Sequence, residues 1–393
     1  MRLGGWSVVF TRMPKLAPEE LERVALAIFE GAGVPFEEAR VVAQHLVGAN
    51  LAGHDSHGVL RIPQYIKAVQ TGDVASGPKM QMLHEGAATA SLDAQRGFGQ
   101  VAARSATLLA MGKASQCGIA AVTVRNSYHT GRIASYTLMA AEQGFVSIML
   151  VNAGGGGQSV APFGGIGRRL ATNPISIAAP ALNGQPVVID FATSVAPEGK
   201  VRDYLQKGRS VPAGWIVDSI GQPTTNPEEF YAPPGGALLP FGGQVGYKGF
   251  GLGFMIDLLA GALSGAGVCR PHPPEARDGF LVIALEVQRF VPLDLFREQV
   301  AQLVAHVKSC PAAPGFEEVC VPGELERREE ERRRAEGIEI HDGTWAEIRG
   351  VAAGVGVHIP TAIPTSAVRG MEPAGFGTGN LAKPLSTEPA NPL

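Results

Sequence analysis

The run Phe145-Val146-Ser147-Ile148-Met149-Leu150-Val151 is the stretch that decides the fold. Every residue in it except Ser147 is apolar, and β-branched residues recur along it. A short apolar run of this kind is typical of a strand that is buried on both faces, as the interior strands of parallel sheets are. We therefore expect it to lie inside a sheet that is covered on both sides.

Strands and helices alternate on either side of this run. Further strands are predicted at 118–124, 175–179, 186–191 and 280–287, with short antiparallel strands within 78–93 and helices at 97–115, 133–142, 249–263 and 293–308. The helix at 249–263 is apolar nearly all round, so it should be buried. Strands mixed with helices over this length indicate a layered α/β fold.

Helices are also predicted at both ends of the chain. Two amphipathic helices run from Ala17 to Gly31 and from Pro35 to Gly53, and His45 in the second is expected to be a packed core histidine. Residues 323–336 form a charged helix, which we interpret as a solvated face. A last short helix surrounds residues 344–350, and the Gly/Pro-rich chain that follows is expected to be poorly ordered.

Composition excludes several classes of protein. The 393 residues carry a net charge of −3, which gives no electrostatic footprint for nucleic acid or for an anionic membrane. No apolar run is long enough to span a bilayer, and the first residues do not resemble a signal peptide. The 4 cysteines have no CxxC spacing and indicate free thiols in a reducing compartment. We therefore expect a cytoplasmic protein without a metal site built from cysteine.

The segment Gly53-His54-Asp55-Ser56-His57-Gly58-Val59-Leu60-Arg61 concentrates titratable side chains where a helix ends. Two uses suit it. His57 with Ser56 could move protons beside a substrate anion that Arg61 holds. Alternatively, His54, Asp55 and His57 could bind a metal, as in a metal-dependent hydrolase or lyase.

Two further polar stretches follow predicted strands, at the edge where open α/β sheets bind ligands. His129, within 125–131, is either a proton donor or substrate ligand, or a cap of the next helix. The glycine-rich run 152–167 lets backbone amides approach an anion, and polar side chains follow it directly. These are Arg168, Arg169, Thr172 and Asn173.

Two more stretches complete the set of candidate sites. Asp190, at the end of a strand, could orient a histidine ring or cap a helix. Lys248, in the glycine-rich stretch 246–253 at a helix N-terminus, suits a phosphate. The chain has no complete GxGxxG fingerprint and no Walker A sequence, so a standard Rossmann site is not indicated.

Taken in order, these motifs resemble the type 2 malate/L-lactate dehydrogenase family, which includes ureidoglycolate dehydrogenase, sulfolactate dehydrogenase, diketogulonate reductase and piperideine-2-carboxylate reductase. The resemblance covers roughly residues 16–350. It is carried by Ser56-His57-Gly58 with Arg61, Ser127-x-His129-x-Gly131, 161–165, 172–174, Asp190-x-Ala192-Thr193, Gly199-Lys200, 248–252 and 314–316.

The resemblance implies an NAD- or NADP-dependent oxidoreductase that interconverts a malate- or lactate-like 2-hydroxy acid and its 2-keto acid. It implies a non-Rossmann three-layer α/β/α fold with a mixed sheet and a homodimer. His57 would be the acid/base, with Ser56 and Asp190 in a relay in some members, whereas His129 matches the proton acceptor of others. Arg61 would bind the substrate carboxylate and Thr172 is a second candidate substrate ligand. The cofactor would contact Asp190, Phe191, Ala192, Lys248, Gly249, Gly323 and Glu324.

On this resemblance we expect a helical, substrate-side segment at 16–117 and an NAD(P)-binding α/β domain at 118–265. Residues 266–350 would return to the first segment, and 351–393 would be a poorly ordered tail. The link through Cys269 is short for the family and the glycine run at 154–157 is long, so both could reshape the pocket.

Overall fold

The computed structural model describes residues 14–272 and 275–359. Its helices are α1 Pro18–Gly31, α2 Phe36–Leu51, α3 Ile62–Gln70, α4 Gly99–Cys117, α5 Ala134–Ala141, α6 Glu198–Gln206, α7 Pro227–Tyr231, α8 Tyr247–Ile256, α9 Leu293–Lys308, α10 Glu324–Glu336 and α11 Asp342–Gly354. Its strands are β1 Lys15–Leu16, β2 Gln81–Glu85, β3 Thr89–Asp93, β4 Ile119–Ser127, β5 Phe145–Asn152, β6 Ile175–Ala179, β7 Val187–Phe191, β8 Ile216–Val217, β9 Pro223–Thr224, β10 Ala237–Leu238, β11 Asp278–Glu286 and β12 Ile338–Glu339.

The main sheet has seven strands in the order β2-β3-β4-β11-β5-β6-β7. Only β3 and β4 pair in parallel, while the other neighbouring pairs are antiparallel. The mixed sheet is thus confirmed, but the expectation that β5 is an interior parallel strand is wrong. Burial on both faces depends on the layers above and below a strand, and an apolar run does not encode the direction of its neighbours.

Helices cover both faces of this sheet. On one face, α4 and α5 pack against side chains such as Val122, Met149 and Val282. On the other, α8 and a π-helical segment, Asp257–Ala262, pack against the alternate side chains Leu150 and Leu281. This alternation follows from the two-residue period of a strand and produces the three-layer α/β/α arrangement.

The burial of α8 differs from the sequence prediction. It was expected to be buried, but the continuous helical stretch from α8 into the π-helical segment exposes a row of large apolar side chains. Phe254 is 49% exposed and Leu263 is 61% exposed, with Met255, Leu258 and Leu259 beside them. One side of the stretch therefore covers the sheet and the other is an apolar surface of the single chain.

The two ends of the described chain pack together. β1 pairs with β12 in antiparallel orientation. One apolar core joins Leu21, Phe29 and Leu46 of the first helices to Trp345 and Ile348 of α11. The helical N-terminal segment therefore packs with the C-terminal part, as expected for this fold.

A small three-stranded sheet, β10-β8-β9, forms a satellite unit between β7 and α8. It shares an apolar core with α6 and α7, including Val201, Ile216 and Phe230. The sequence prediction assigned no element to this region, because the strands are two residues long and show no measurable period.

Two expected segment boundaries differ from the structure. β11 belongs to the 266–350 segment, yet it lies between β4 and β5 in the centre of the sheet. The tail was expected to begin at 351, but α11 continues to Gly354 and Ile359 is buried against the N-terminal helices. Residues 360–393 lie outside the described residues. In the described part of the chain, no helix has the length and apolar character needed to cross a membrane.

Candidate active site

The motif at 53–61 is shaped by one buried side chain, Asn50. Its Oδ1 accepts a hydrogen bond from the Val59 backbone N–H (2.8 Å), and its Nδ2 donates to Asp55 (2.6 Å). Gly58 is required here because a Cβ at this position would overlap the Asn50 side chain. The chain consequently forms two short 3₁₀ turns, Asp55–His57 and Val59–Arg61, before α3 begins.

The charged helix α10 packs against this motif. The Arg333 guanidinium donates to both carboxylate oxygens of Asp55 (2.6 and 3.0 Å) and to the Asn50 carbonyl oxygen (2.7 Å). His54 Nε2 lies 3.8 Å from a carboxylate oxygen of Glu326. The interpretation of α10 as a solvated face is therefore correct for its outer side only.

These pairings separate the residues of the metal hypothesis. Asp55 is engaged by Arg333, His54 faces Glu326, and His57 Nδ1 lies 3.0 Å from Ser56 Oγ. Among the described residues, the ligand atoms of these three do not converge on one point. The geometry therefore does not support the metal-dependent hydrolase or lyase alternative.

Another set of potential metal ligands does converge, at Glu318, Cys320 and Glu324. Their carboxylates are already paired with Lys308 and Arg328. Two cations at these two acids make the cluster an ion-pair network rather than a site for a cation.

The structure brings the two candidate histidines together. The His57 and His129 rings are stacked, with centroids 5.5 Å apart and planes 18° from parallel. Burial, and then the nearby Arg61 charge, lowers the pKa of His57 to about 3. Burial, Arg61 and His57 also hold the pKa of His129 well below its ordinary value. These shifts favour the neutral form of both rings at pH 7.

Arg61 lies next to this pair. Its Nε donates to the Ser56 carbonyl oxygen (2.7 Å), and one terminal nitrogen donates to Gln64 (2.7 Å). The other terminal nitrogen faces Gly199 of α6, where a Cβ would lie 4.0 Å from it and 4.0 Å from the Ser56 Cβ. Gly199 thus leaves space in front of the guanidinium that a larger side chain would fill.

Two residues missed in the sequence complete the surroundings of His129. The Tyr65 hydroxyl lies 2.7 Å from His129 Nδ1, and Gln100 Nε2 donates to the same hydroxyl (2.9 Å). Tyr65 follows Arg61 at i+4 on α3, which was an available signal for a shared face. Gln100 gave no signal, since only the tertiary fold brings α4 to α3.

The loop that carries His129 is held by a second buried histidine. His45 Nε2 accepts a hydrogen bond from the Arg132 backbone N–H (3.0 Å), and Tyr136 stacks on the His45 ring. Asp278 accepts bonds from the Thr130 N–H (2.9 Å) and hydroxyl (3.0 Å), and burial raises its pKa to about 7. The packed role expected for His45 is confirmed.

Asp190 has a helix-capping contact in the structure. Its Oδ2 accepts from the Ala134 N–H at the start of α5 (2.8 Å), and burial raises its pKa. No hydrogen bond joins it to His57 within the described part of the chain. The Thr172 carbonyl oxygen accepts from the Thr193 N–H (2.9 Å) and hydroxyl (3.0 Å), which ties the segment just before β6 to the residues that follow β7.

The residues expected to contact a cofactor fall into two groups. Near the end of β7, Phe191 is 39% exposed and its ring packs edge-on against Phe241 at 5.7 Å, next to the partly buried Ala192. Lys248 is exposed in the first turn of α8, whereas Gly249 is buried against Phe241.

The second group lies at the start of α10. Gly323, with φ +87°, packs against Val188 of β7, two residues before Asp190. The Glu324 carboxylate is engaged by Lys308 (2.6 Å), Arg328 and the Val321 N–H (3.1 Å). The resemblance implies that Glu324 contacts a cofactor, but its carboxylate is already hydrogen-bonded to these three partners.

A cavity of about 620 Å³ lies along α8, away from the two histidines. Its lining is apolar, as at Phe250, Leu170 and Val268, with Arg169 and Arg270 also at its wall. Part of the glycine-rich stretch singled out in the sequence therefore borders a ligand-sized space, but His57, His129 and Arg61 do not line it.

The fold and the site define an α/β protein in which two buried histidines and one arginine from adjacent elements lie together. The chain belongs to the malate/L-lactate dehydrogenase family, whose sequence model matches residues 16–349. It is therefore an oxidoreductase of hydroxy acids, as the resemblance of its motifs implied.

Individual relatives agree. The chain is 37% identical to malate dehydrogenase of Pyrococcus abyssi, covering 88% of this chain and 96% of that protein. It is 35% identical to L-sulfolactate dehydrogenase of Methanocaldococcus jannaschii, covering 88% and 98%. The solved structure of malate dehydrogenase from Pyrococcus horikoshii superposes with a TM-score of 0.80 at 35% identity, covering 91% and 99%.

Proposed function

We propose that this enzyme interconverts a malate- or lactate-like 2-hydroxy acid and its 2-keto acid with NAD or NADP. The observation that carries the proposal is the placement of Arg61 beside the stacked pair of His57 and His129. An arginine can hold a carboxylate in a charge-assisted pair while a neighbouring imidazole exchanges a proton with the oxygen on the adjacent carbon.

Arg61 is prepared for this role by its own contacts. Two of its three guanidinium nitrogens donate to Ser56 and Gln64, which fixes the plane of the group. The third nitrogen has no hydrogen-bond partner within 14–272 and 275–359, and it faces the space left by Gly199. We infer that the substrate carboxylate binds there, with its 2-oxygen directed to the histidines.

The histidines supply the proton path. Burial, and then the Arg61 charge, lowers the pKa values of both rings. A bound substrate carboxylate offsets the contribution of Arg61 and so raises the proton affinity of the rings. In reduction, an imidazolium donates its proton to the oxygen at C2, and in oxidation a neutral ring accepts it. Ser56 supports the His57 ring at Nδ1. We assign Asp190 to the cofactor region rather than to this relay, and Thr172 stays a candidate substrate ligand.

The residues present fit a dinucleotide. The first amides of α8 have no acceptors within the helix, and exposed Lys248 stands at the same turn, so together they suit a pyrophosphate. Phe191, 39% exposed beside Ala192, offers apolar surface on which a flat ring can pack. Gly249, Gly323 and Glu324 would contact the dinucleotide through their backbone atoms. The nicotinamide, when bound, supplies or takes the hydride.

We further propose a homodimer in which the exposed apolar side of α8 and the π-helical segment is covered by a second copy. A contiguous row from Phe254 to Leu263 is more apolar surface than a lone chain usually exposes. All 4 cysteines are free thiols, which supports a reducing, cytoplasmic setting.

The test is loss of absorbance by NADH and NADPH, run separately with oxaloacetate, pyruvate and sulfopyruvate as 2-keto acids. Arg61→Ala should lower kcat/KM by about a hundredfold, since removing a charged hydrogen bond costs up to about 3 kcal/mol. Arg61→Lys should lose less, because it keeps the charge without the planar fork. Arg334→Ala, on the outer side of α10, is the matched control. Equal kinetics for Arg61→Ala and the control would refute the assignment.

A further inference from the structure

The hydroxyl of Tyr65 has two neighbours that restrict where its single hydrogen can point. Gln100 Nε2 donates to the Tyr65 oxygen at 2.9 Å, and His129 Nδ1 lies 2.7 Å from the same oxygen. An amide nitrogen has no lone pair to offer, so the hydroxyl hydrogen cannot be directed to Gln100. With the amide in this orientation, the hydrogen points to His129 Nδ1, which accepts it and carries no proton of its own.

The surrounding packing keeps this chain of groups in place. Gln100 and Tyr65 are both fully buried. Gly99, next to Gln100, packs so closely on the carbonyl groups of Tyr128 and His129 that any Cβ would overlap them. The start of α4 is therefore held directly against the segment that carries His129. Gln100 is closed off from solvent, and within the described residues its Nε2 donates to Tyr65 alone.

His57 has a different kind of partner. Its Nδ1 lies 3.0 Å from Ser56 Oγ, and a serine hydroxyl can rotate to donate or to accept. His57 therefore keeps a hydrogen bond at Nδ1 in either tautomer and as an imidazolium. His129 lacks this freedom, because an Nδ1–H would face the Tyr65 hydrogen.

We propose that Gln100 and Tyr65 hold His129 as its Nε2–H tautomer, so that His129 donates a hydrogen bond to the substrate oxygen while His57 transfers the proton. This division of roles rests on the proposed hydroxy acid reaction. In reduction, the proton leaves the His57 imidazolium for the oxygen at C2, and His129 Nε2–H stabilises the negative charge that develops on that oxygen. In oxidation, the same proton returns to neutral His57.

The groups that surround His129 are consistent with a ring that stays neutral. Arg61 and His57 face it from the motif, His45 from α2 and Tyr65 from α3. Arg61 disfavours a second positive charge here, and the two stacked imidazoles do not both ionise at 5.5 Å. The pair therefore takes up at most one added proton when substrate is bound, and Tyr65 directs that proton to His57.

One unpaired atom defines the alternative arrangement. Gln100 Oε1 is buried without a hydrogen-bond partner in the described part of the chain. If the amide were rotated by half a turn, Oε1 would accept from Tyr65, and Tyr65 could accept from an Nδ1–H on His129. His129 would then be free to act as the acid/base at Nε2, so the tautomer distinguishes the two arrangements.

The first measurement is the tautomer itself, by ¹⁵N–¹H correlation of the imidazole nitrogens between pH 6 and 8. The His129 signal is identified by its loss in His129→Gln. We expect the Nε2–H tautomer in the wild-type protein and a mixture in Tyr65→Phe and in Gln100→Met. Tyr204→Phe, in α6 and packed against Trp215, should leave the His129 signal unchanged. An Nδ1–H tautomer in the wild-type protein would overturn the proposal.

The second measurement separates a hydrogen-bond donor from a proton carrier. Glutamine retains an N–H donor near the position of Nε2 but cannot transfer a proton at pH 7. We expect His129→Gln to remain within about tenfold of wild-type kcat, and His129→Leu to fall by about 10²–10³-fold, as for a lost oxyanion donor. His57→Gln and His57→Leu should fall equally, by about 10²–10⁴-fold.

Tyr65→Phe should lower kcat about tenfold with little change in KM. A tenfold loss corresponds to about 1.4 kcal/mol, the contribution of one hydrogen bond. Equal losses in His129→Gln and His129→Leu, with activity retained in His57→Gln, would reverse the two roles and refute the proposal. Absence of turnover by the wild-type enzyme would instead contradict the proposed function. The tautomer measurement needs no substrate and would still decide the role of Tyr65 and Gln100.

Discussion

Replacing Gly58 by alanine should destabilise the protein through one side chain. The backbone at Gly58, with φ −90° and ψ −156°, is accessible to alanine, so strain in the backbone is not the cause. The added Cβ would lie within 2.5 Å of three side-chain atoms of Asn50, which is only 3% exposed. Because real carbon atoms do not approach so closely, Asn50 must leave its position.

The magnitude follows from what Asn50 holds. Its displacement breaks the hydrogen bonds to Val59 and Asp55, each worth about 1 kcal/mol. It also leaves the buried Val59 N–H without an acceptor, which costs about 1–3 kcal/mol more. We expect Gly58→Ala to lower the free energy of unfolding by about 3–5 kcal/mol, as measured by urea denaturation.

Gly112→Ala is the matched control, since no atom lies within 4 Å of a Cβ at that position in α4. Alanine in a helix interior should raise the free energy of unfolding by about 0.5–1 kcal/mol. Because His57 and Arg61 flank Gly58, activity should fall together with stability in Gly58→Ala alone. A loss of stability below about 1 kcal/mol would show that Asn50 does not hold the motif.

Two further predictions concern the support of the motif. Arg333→Gln removes the bidentate ion pair with Asp55, so kcat/KM should fall several-fold. The control Arg334→Gln loses only an exposed ion pair within α10 and should leave steady-state kinetics unchanged. Equal kinetics for the two variants would show that α10 does not support the site. Burial, and then the Arg132 charge, lowers the pKa of His45 from 6.5 to about 3. Between pH 6.5 and pH 3 the His45 ring is protonated in the unfolded chain but neutral in the folded protein. The contribution of His45 to the free energy of unfolding is therefore fully present above pH 6.5 and is lost as the pH is lowered. The loss from His45 is about 1.4 kcal/mol per pH unit. Urea denaturation across this range should show a shallower decline in His45→Gln, and an unchanged slope would contradict the assignment.

Patterns within one element predicted much of the fold. The apolar run of β5, the amphipathic stripes of α1 and α2, and the alternating strands and helices were each readable because burial imposes a period on the side chains of a single element. Strand direction in the sheet was not readable, since β11 enters between β4 and β5 from more than a hundred residues away. The exposure of one side of α8 could not be predicted either, because a helix that is apolar on all sides does not indicate which side packs against the rest of the chain.

The candidate site divides in the same way. Ser56, His57 and Arg61 lie within six consecutive residues, so a shared site could be predicted from residue type and spacing. His129 was placed beside a strand end, but its stacking on His57 depends on the packing of the N-terminal helices against the sheet. The charges of α10 gave no sign that Arg333 would reach Asp55, because i,i+4 pairing and tertiary pairing use the same residue types.

By itself, the sequence determined the family and the class of reaction and supplied a set of candidate side chains, since those depend on local order and residue type. Only the tertiary structure decided how these side chains are used. It set Gln100 and Tyr65 against His129, gave Ser56 to His57, and occupied Asp55 and Glu324 with cations from distant segments. Hydrogen-bond partners act over about 3 Å, and only the folded chain brings residues far apart in sequence within that distance.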